Sequence, residues 1–362
     1  MSLNLKSKYS YEIDSNEWNN TLLQNKISTI YQTSNWQEIY KQVYDSKPVF
    51  ITVTKPNGKI LGQLGAVIHK KLFWQDTNII TSLIGSKLNL RTTLNWFHGP
   101  ILHDYHNQKE IISEILSCID KISIENKVTM IRGISPPLDD KLLNESFKSF
   151  NYSLNPWATY ITDLKQKPEK LYNSFNKKTR YDIRKSEQQE LKFEIAKNKK
   201  SYDEFNELKV EARKRAGQKT KLNTFFFDAH REFLYKKGYE NLFLVKHEGV
   251  IIGGILGVIF NGNIIQHGVG NSVTTELLGG PFLTWNALKW AINKKYSTFD
   301  MGGVNPYPES LKEGKIDFYK SKWGGKKHHY TFYTKIFSKT KSKISSFLKN
   351  PKRASKKLTH HL

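Results

Sequence analysis

Two short stretches of this 362-residue chain hold side chains whose types and spacing could do chemistry. In the first, FDMGGVNPYPESLKEGKIDFYKSKWGG from Phe299 to Gly325, a short buried strand over Ser297 to Met301 delivers a carboxylate, Asp300. A glycine-rich break, a polar loop and the pair Tyr319-Lys320 follow. In α/β units ligands bind where strand ends open the sheet. Asp300 lies at such an end, and Gly302-Gly303 let the backbone come close to a ligand. Lys320 stands between those glycines and Trp323-Gly324-Gly325, which pins the return of the chain. A lysine aimed from there at a reacting group supplies a fixed positive charge. The plainer alternative makes Asp300 a turn cap and Lys320 a surface lysine.

The second stretch is Lys177-Lys178-Thr179-Arg180-Tyr181-Asp182-Ile183-Arg184-Lys185. On a helix Arg180 and Arg184 share a face, with Lys177 one turn earlier. Guanidinium forks suit phosphate oxygens better than ammonium does. A solvated basic face is the alternative.

Other common chemistries lack their residues. There is no GxxxxGK[ST], and GGILG lies in a hairpin with no helix after it, so neither phosphate loop nor dinucleotide fingerprint is present. No GxSxG appears, and Cys118 sits in the helix-like EIISEILSCIDKI as a small buried residue. His328-His329 and His360-His361 have no partners at metal-ligand spacing, so no metal is expected.

Composition narrows the classes further. With 38% hydrophobic and 13% aromatic residues the chain folds, and its length suits two domains. One cysteine excludes an internal disulfide framework. The N-terminal MSLNLKSKYSYEID has no secretory pattern, and the longest apolar run, Gly249 to Phe260, is too short and glycine-rich to span a bilayer. The expected location is cytoplasmic, with peripheral contact at the inner membrane face. The balance of 57 basic against 33 acidic residues, a net +24, points to an anionic partner: nucleic acid, a phosphorylated substrate or a membrane face. Drift in an AT-rich genome raises lysine but does not explain scarce acids.

The elements that must position these residues are duplicated. KPNGKILGQLGAVI from Lys55 and KHEGVIIGGILGVI from Lys246 align at Gly58 with Gly249, Gly62 with Gly253 and Val67 with Val258. Each reads as strand, tight glycine turn and strand. HGPIL at His98 matches GGPFL at Gly279, each placing proline in the first turn of a helix, IISEILSCIDKI or LTWNALKWAINK. A strand follows each helix and ends in Gly-aliphatic-x-Pro, GISP at Gly133 and GVNP at Gly303. The expected fold is α/β (α+β): two copies of one unit with mixed, mainly antiparallel sheets. Between them lie a strand at ATYITDL, a helix from Glu169 to Gln189, a strand at LKFEIA, a helix ending at Gly217 and a second helix at TFFFDAHREFLYKKG.

The order DSNEW…IYQTSNW, KKTRYDIRK, then GGPFLTWNALKWA…FDMGGVNP…FYKSKWGG resembles the FemABX family of peptidoglycan bridge-forming aminoacyltransferases, and the wider set of N-acyltransferases with tandem GNAT-like domains. The resemblance covers residues 10–335. It implies a GNAT-like domain over residues 1–157, completed by a strand from about 327–335, a second over 158–326, and a basic helix or tail over 336–362. It implies transfer of an amino acid from charged tRNA to an amine of a phosphorylated or lipid-linked cell-envelope precursor, with no bound cofactor. In the family's FK…FGG motif the lysine is the catalytic cation. The matching residue here is Lys320, flanked by Tyr319 and Trp323; on the chemistry alone, either Asp300 or a substrate phosphate orients the amine or takes its proton. Arg180, Arg184 and Lys185 correspond to the family's R…IRK helix near the substrate cleft, Lys41 to a precursor-binding lysine, and Gly302 and Gly303 line the site. Tyrosine and tryptophan replacing two phenylalanines are departures from the motif, and the family's coiled-coil arm is absent.

Two other functions stay open. An acyl-CoA N-acyltransferase acting on a surface polysaccharide or amino sugar would use acyl-CoA as co-substrate. Such enzymes place a (Q/R)xxGx(G/A) loop before the helix to hold pyrophosphate, and VGNSVTTELLGGPFL lacks that pattern. The other is a non-enzymatic RNA- or membrane-binding module on the same fold. The segment after Ser338 carries no acid and favours anionic lipid, each cation adding about 1 kcal/mol near such a surface. Truncation there is expected to weaken binding to anionic liposomes while sparing turnover on a soluble acceptor analogue; equal binding by both proteins would refute it.

Overall fold

A computed structural model describes residues 4–70, 92–215, 224–272 and 276–337. The basic segment after Ser338 and the helix stop at Gly217 lie outside the described residues. The chain forms two units, one built by residues up to Asn155 together with the chain from Tyr330, the other by Pro156–His329.

The first unit runs β1 (Lys6–Ser10), α1 (Ser15–Leu23), α2 (Ser34–Tyr44), β2 (Lys47–Thr54), β3 (Ile60–His69), β4 (Thr93–Trp96), β5 (Ile101–Leu102), α3 (Gln108–Glu125), β6 (Met130–Ile134) and α4 (Lys141–Ser149). The second runs β7 (Ser153–Asp163), α5 (Pro168–Ser174), α6 (Lys177–Glu187), β8 (Lys192–Ile195), α7 (Lys199–Arg215), α8 (Thr224–Phe233), β9 (Glu240–His247), β10 (Val250–Phe260), β11 (Asn263–Asn271), α9 (Gly279–Asn293), β12 (Thr298–Val304) and α10 (Leu311–Ser321). The last strand, β13 (Lys326–Ile336), pairs antiparallel with β6 through Phe332 to Ile336.

The internal repeat reappears as a repeated strand order. In the first unit the order is β1-β2-β3-β4-β6-β13, antiparallel throughout except for the parallel pair β4–β6. In the second it is β8-β9-β10-β11-β12-β7, antiparallel except for the parallel pair β11–β12. A parallel neighbour needs a crossover, and α3 and α9 supply it. The hairpin turns place Gly58 at φ +84° and Gly249 at φ +82°, the left-handed region that glycine enters without a Cβ penalty.

Spacing explains the crossover helix of the first unit. Ile111, Ile112, Ile115, Leu116, Ile119 and Ile122 fall at helical intervals and bury one stripe against Val49, Ile51, Leu61 and Leu64 of the sheet. Cys118 belongs to that core and is a free, buried thiol. In the second unit α9 lays Leu283, Ala287, Leu288 and Ala291 over β9 to β12, and α7 and α8 cover a separate cluster around Phe205 and Leu256.

Two local expectations fail. Pro281 does sit in the first turn of α9, but Pro100 does not start a helix: Ile101–Leu102 continue as a short strand against β3, and α3 begins only at Gln108. The expected helix from Glu169 to Gln189 is broken in two. Phe175 and Asn176 adopt extended geometry, and the Asn176 side chain accepts from the Thr179 N–H to cap a new helix.

The repeats also differ at the parallel pair. In the first unit the Trp96 indole lies flat against Gly133, so close that a Cβ there would come within 1.9 Å of a ring carbon. Its Nε1 donates to the Gly99 carbonyl at 3.0 Å. Replacing Gly133 by Ala is expected to overpack this contact and cost about 1–3 kcal/mol in chemical denaturation; an unchanged midpoint would show that the indole can move aside.

Candidate active site

The parallel pair of the second unit is short. β11 and β12 stay in register only at Asn263–Thr298, Ile264–Phe299 and Ile265–Asp300. Beyond that point β11 follows β10 and β12 follows β7, so the two strands part. Gln266 spans the beginning of the gap, its amide donating to the Met301 carbonyl at 3.2 Å. β12 shifts register against β7 between Asp300 and Gly303, with Gly302 at φ +78°. The glycine pair is therefore a bulge inside a continuing strand rather than its end. At Gly302 a Cβ would sit 3.1 Å from the Gln266 carbonyl and 3.4 Å from the Lys320 ammonium.

Asp300 is buried and accepts at one oxygen, Oδ1, from the Thr159 hydroxyl and from the Gly302 N–H, the latter at 2.7 Å. Burial raises its pKa; Thr159, Gly302, Lys320 and His328 pull the other way. Lys320 donates to the Gly303 carbonyl at 3.0 Å. Burial brings its pKa down to about 8, and the Asp300 charge opposes that shift.

Lys320 comes from the last turn of α10, not from a loop. The helix starts where Ser310 Oγ accepts from the Glu313 N–H while Glu313 reaches back to the Glu309 N–H, a serine and glutamate three apart. That signal stands in the sequence as SLKE. Three anchors fix the helix around the lysine. Asp317 binds Lys327 at 2.9 Å and accepts from the Tyr160 hydroxyl at 3.1 Å. The Tyr319 hydroxyl meets Thr284 Oγ1 on α9 at 3.1 Å. Trp323 is fully buried against Phe175, and its carbonyl accepts from Thr162 Oγ1. Thr159, Thr284 and Gln266 had no motif to mark them, because each acts only through a neighbour the fold brings.

The expected site residues thus separate. Lys320, Asp300, Gly302 and Gly303 meet at the strand gap, and Tyr319 steadies them from behind. Trp323 is a core residue; its burial leaves no surface for a substrate, which corrects its expected binding role. Arg180 turns its guanidinium onto the carbonyls of Asn173 and Phe175, at 3.1 and 2.6 Å, and so closes the break between α5 and α6. Arg184 and Lys185 are exposed on α6, Arg184 lying 3.5 Å from the Tyr172 hydroxyl. Lys41 is exposed in the first unit and pairs with Glu38 at 3.6 Å. Among the described residues no group of His, Cys, Asp and Glu is arranged to hold a metal ion, and no helix is long and apolar enough to cross a membrane.

Asparagine at position 300 keeps the oxygen that accepts from Thr159 and Gly302 but removes the charge that supports the ammonium. Asp300→Asn is therefore expected to fold normally and to move the Lys320 titration below about 8. An NMR titration of the lysine side chain checks this, and an unmoved midpoint would break the electrostatic link between the two groups.

Residues 173–320 match the model of the acetyltransferase (GNAT) domain. No curated protein sequence matches the chain. Among solved structures it is similar to FemX, with TM-score 0.70 and 16% identity over 90% of this chain and 96% of that one. It is also similar to a tandem GNAT protein from the clavulanic acid biosynthesis pathway, with TM-score 0.55 and 9% identity over 91% and 98%. L-PGS from Bacillus licheniformis superposes with TM-score 0.54 and 11% identity over 93% and 98%. The chain thus has a tandem GNAT fold similar to that of FemX, and its residues 173–320 match the acetyltransferase (GNAT) domain model.

Proposed function

We propose that the protein is an aminoacyltransferase that moves an amino acid from charged tRNA onto an amine of a cell-envelope precursor. The observation that carries this reading is the Lys320 ammonium, held by a backbone carbonyl at the open end of a parallel strand pair beside a buried carboxylate. The FemX-like fold and the net charge of +24 support a bulky anionic donor.

In the reaction the neutral acceptor amine adds to the ester carbonyl of the aminoacyl group. A C–N bond forms and the carbonyl π pair moves to oxygen. Collapse of this tetrahedral oxyanion breaks the C–O bond, and the ribose oxygen leaves with the proton the amine gives up. Lys320 faces the oxyanion, and partial exclusion of water strengthens that attraction. Asp300, locked by Thr159 and Gly302, orients the lysine and stands ready to receive the amine proton.

A second reading, acyl-CoA as donor, is favoured by the acetyltransferase-domain match itself. Supplying the purified protein with charged tRNA or with acyl-CoA separates the two, and turnover with acyl-CoA alone would overturn the tRNA assignment.

Lys320→Ala is expected to lower kcat by about a hundred- to thousandfold, the usual loss for one oxyanion donor, near 3 kcal/mol. The ammonium is present below its pKa and lost above it, so kcat/KM should fall as pH rises through about 8, about two units lower than for an ordinary lysine. Undiminished turnover by Lys320→Ala would remove the catalytic assignment.

A further inference from the structure

Helix α10 shows opposite chemistry on its two sides. Asp317, Tyr319 and Lys320 turn toward the unit, whereas Leu311 is 88% exposed and Phe318 65% exposed. Those two lie seven residues apart, two helical turns, and so share the outward face. Lys315 falls between them on the same face, while Lys322, at the end of the helix, is half-buried with its ammonium 4.7 Å from the Tyr319 ring and 5.9 Å from the Trp323 ring. Tyr307, in the turn before the helix, is 68% exposed.

The basic character continues onto α6. Phe175, just before α6, packs on Trp323, just after α10, with ring centroids 5.5 Å apart, so the start of α6 lies near the end of α10. Lys178 lies 5.0 Å from the ring of Tyr181, itself exposed, and Lys177, Arg184 and Lys185 occupy the same exposed face of α6. Nearby acids are largely committed: Asp182 to Lys178, Asp317 to Lys327 and Glu313 to the start of α10. Among the described ion pairs none uses Lys177, Lys185 or Lys315.

From this juxtaposition we infer that the outward face of α10, with the basic face of α6 beside it, docks on an anionic phospholipid bilayer. Protruding leucine, phenylalanine and tyrosine flanked by lysines are what an interfacial helix buries at the headgroup–acyl boundary, the lysine stems reaching back to phosphate. RNA is the poorer occupant. Its backbone would satisfy the cations, but an aliphatic Leu311 at the most exposed point gains nothing from phosphate and sugar. Docking would bring Lys320, on the opposite side of the same helix, within about one helix diameter, roughly 10 Å, of the headgroups. Acceptors anchored in the membrane would then reach the strand gap without leaving it. The inference stands apart from the identity of the acyl donor, because lipid binding is read without turnover.

The test uses the full chain carrying Phe318→Cys, labelled with an environment-sensitive nitrobenzoxadiazole group, with labelled wild type as control for buried Cys118. Label emission is expected to rise severalfold with phosphatidylcholine vesicles that contain phosphatidylglycerol, and to stay flat with phosphatidylcholine alone or with tRNA. In parallel, the unlabelled Leu311→Ser/Phe318→Ser variant should partition about tenfold or more weakly onto the anionic vesicles, with an unchanged unfolding midpoint. The inference is overturned if the label is silent while the protein sediments with vesicles, since another segment then makes the contact. It is equally overturned if the double variant partitions like wild type, or if it loses affinity for tRNA and not for lipid.

Discussion

The second unit is organised around one ammonium drawn half out of water. A lysine so placed loses hydration, and among the described residues the Gly303 carbonyl and the Asp300 charge offset the loss. Neither partner is available by accident. The carbonyl is reachable because β12 bulges at Gly302, whose positive φ and missing side chain leave room for the lysine tip. The carboxylate stays in place because Thr159 and the Gly302 N–H hold the same oxygen. Loosening α10 would cost the most, since Asp317, Tyr319 and Trp323 decide where the lysine points.

The duplication gives each unit a parallel strand pair, and the two pairs are finished differently. Both units have a parallel strand pair fed by a crossover helix, and both second strands carry a glycine at the matching place. In the first unit an indole fills the space above Gly133 and seals the pair. In the second unit the strands separate after Asp300, and the corresponding Gly303 offers its carbonyl to a lysine. The same strand order thus holds a packed parallel pair in one unit and, in the other, a pair that ends beside Lys320. The difference rests on a tryptophan that fits flat against glycine and a lysine that reaches in from a helix.

Much of this could be read from the chain, and the misses have causes. The repeat, the hairpin glycines and the apolar stripe of α3 are local patterns with fixed periods, so the alternation of strands and helices followed from them. Asp300 and Lys320 were each legible as candidates through the glycines at both ends of the segment. Helix α10 shows no apolar stripe to read, because Leu311 and Phe318 face outward among lysines while Asp317 and Lys320 face inward; only its serine–glutamate cap marks it. Arg180 suggested phosphate by its type, yet a helix break at Phe175 left carbonyls nearer to hand. Trp323 suggested a binding wall and proved to be core.

What the sequence determined alone is the architecture, because backbone turns, helical stripes and strand alternation act over a few residues and need no distant partner. It also named the two charged groups worth watching. Only the tertiary structure decided that strands β11 and β12 part beyond Asp300, that Thr159 and Thr284 brace the site, and that α10 faces water with leucine and phenylalanine. Those outcomes depend on segments 35 to 141 residues apart packing to within a few ångströms, and on the balance between burying an ammonium and satisfying it, which no local pattern records.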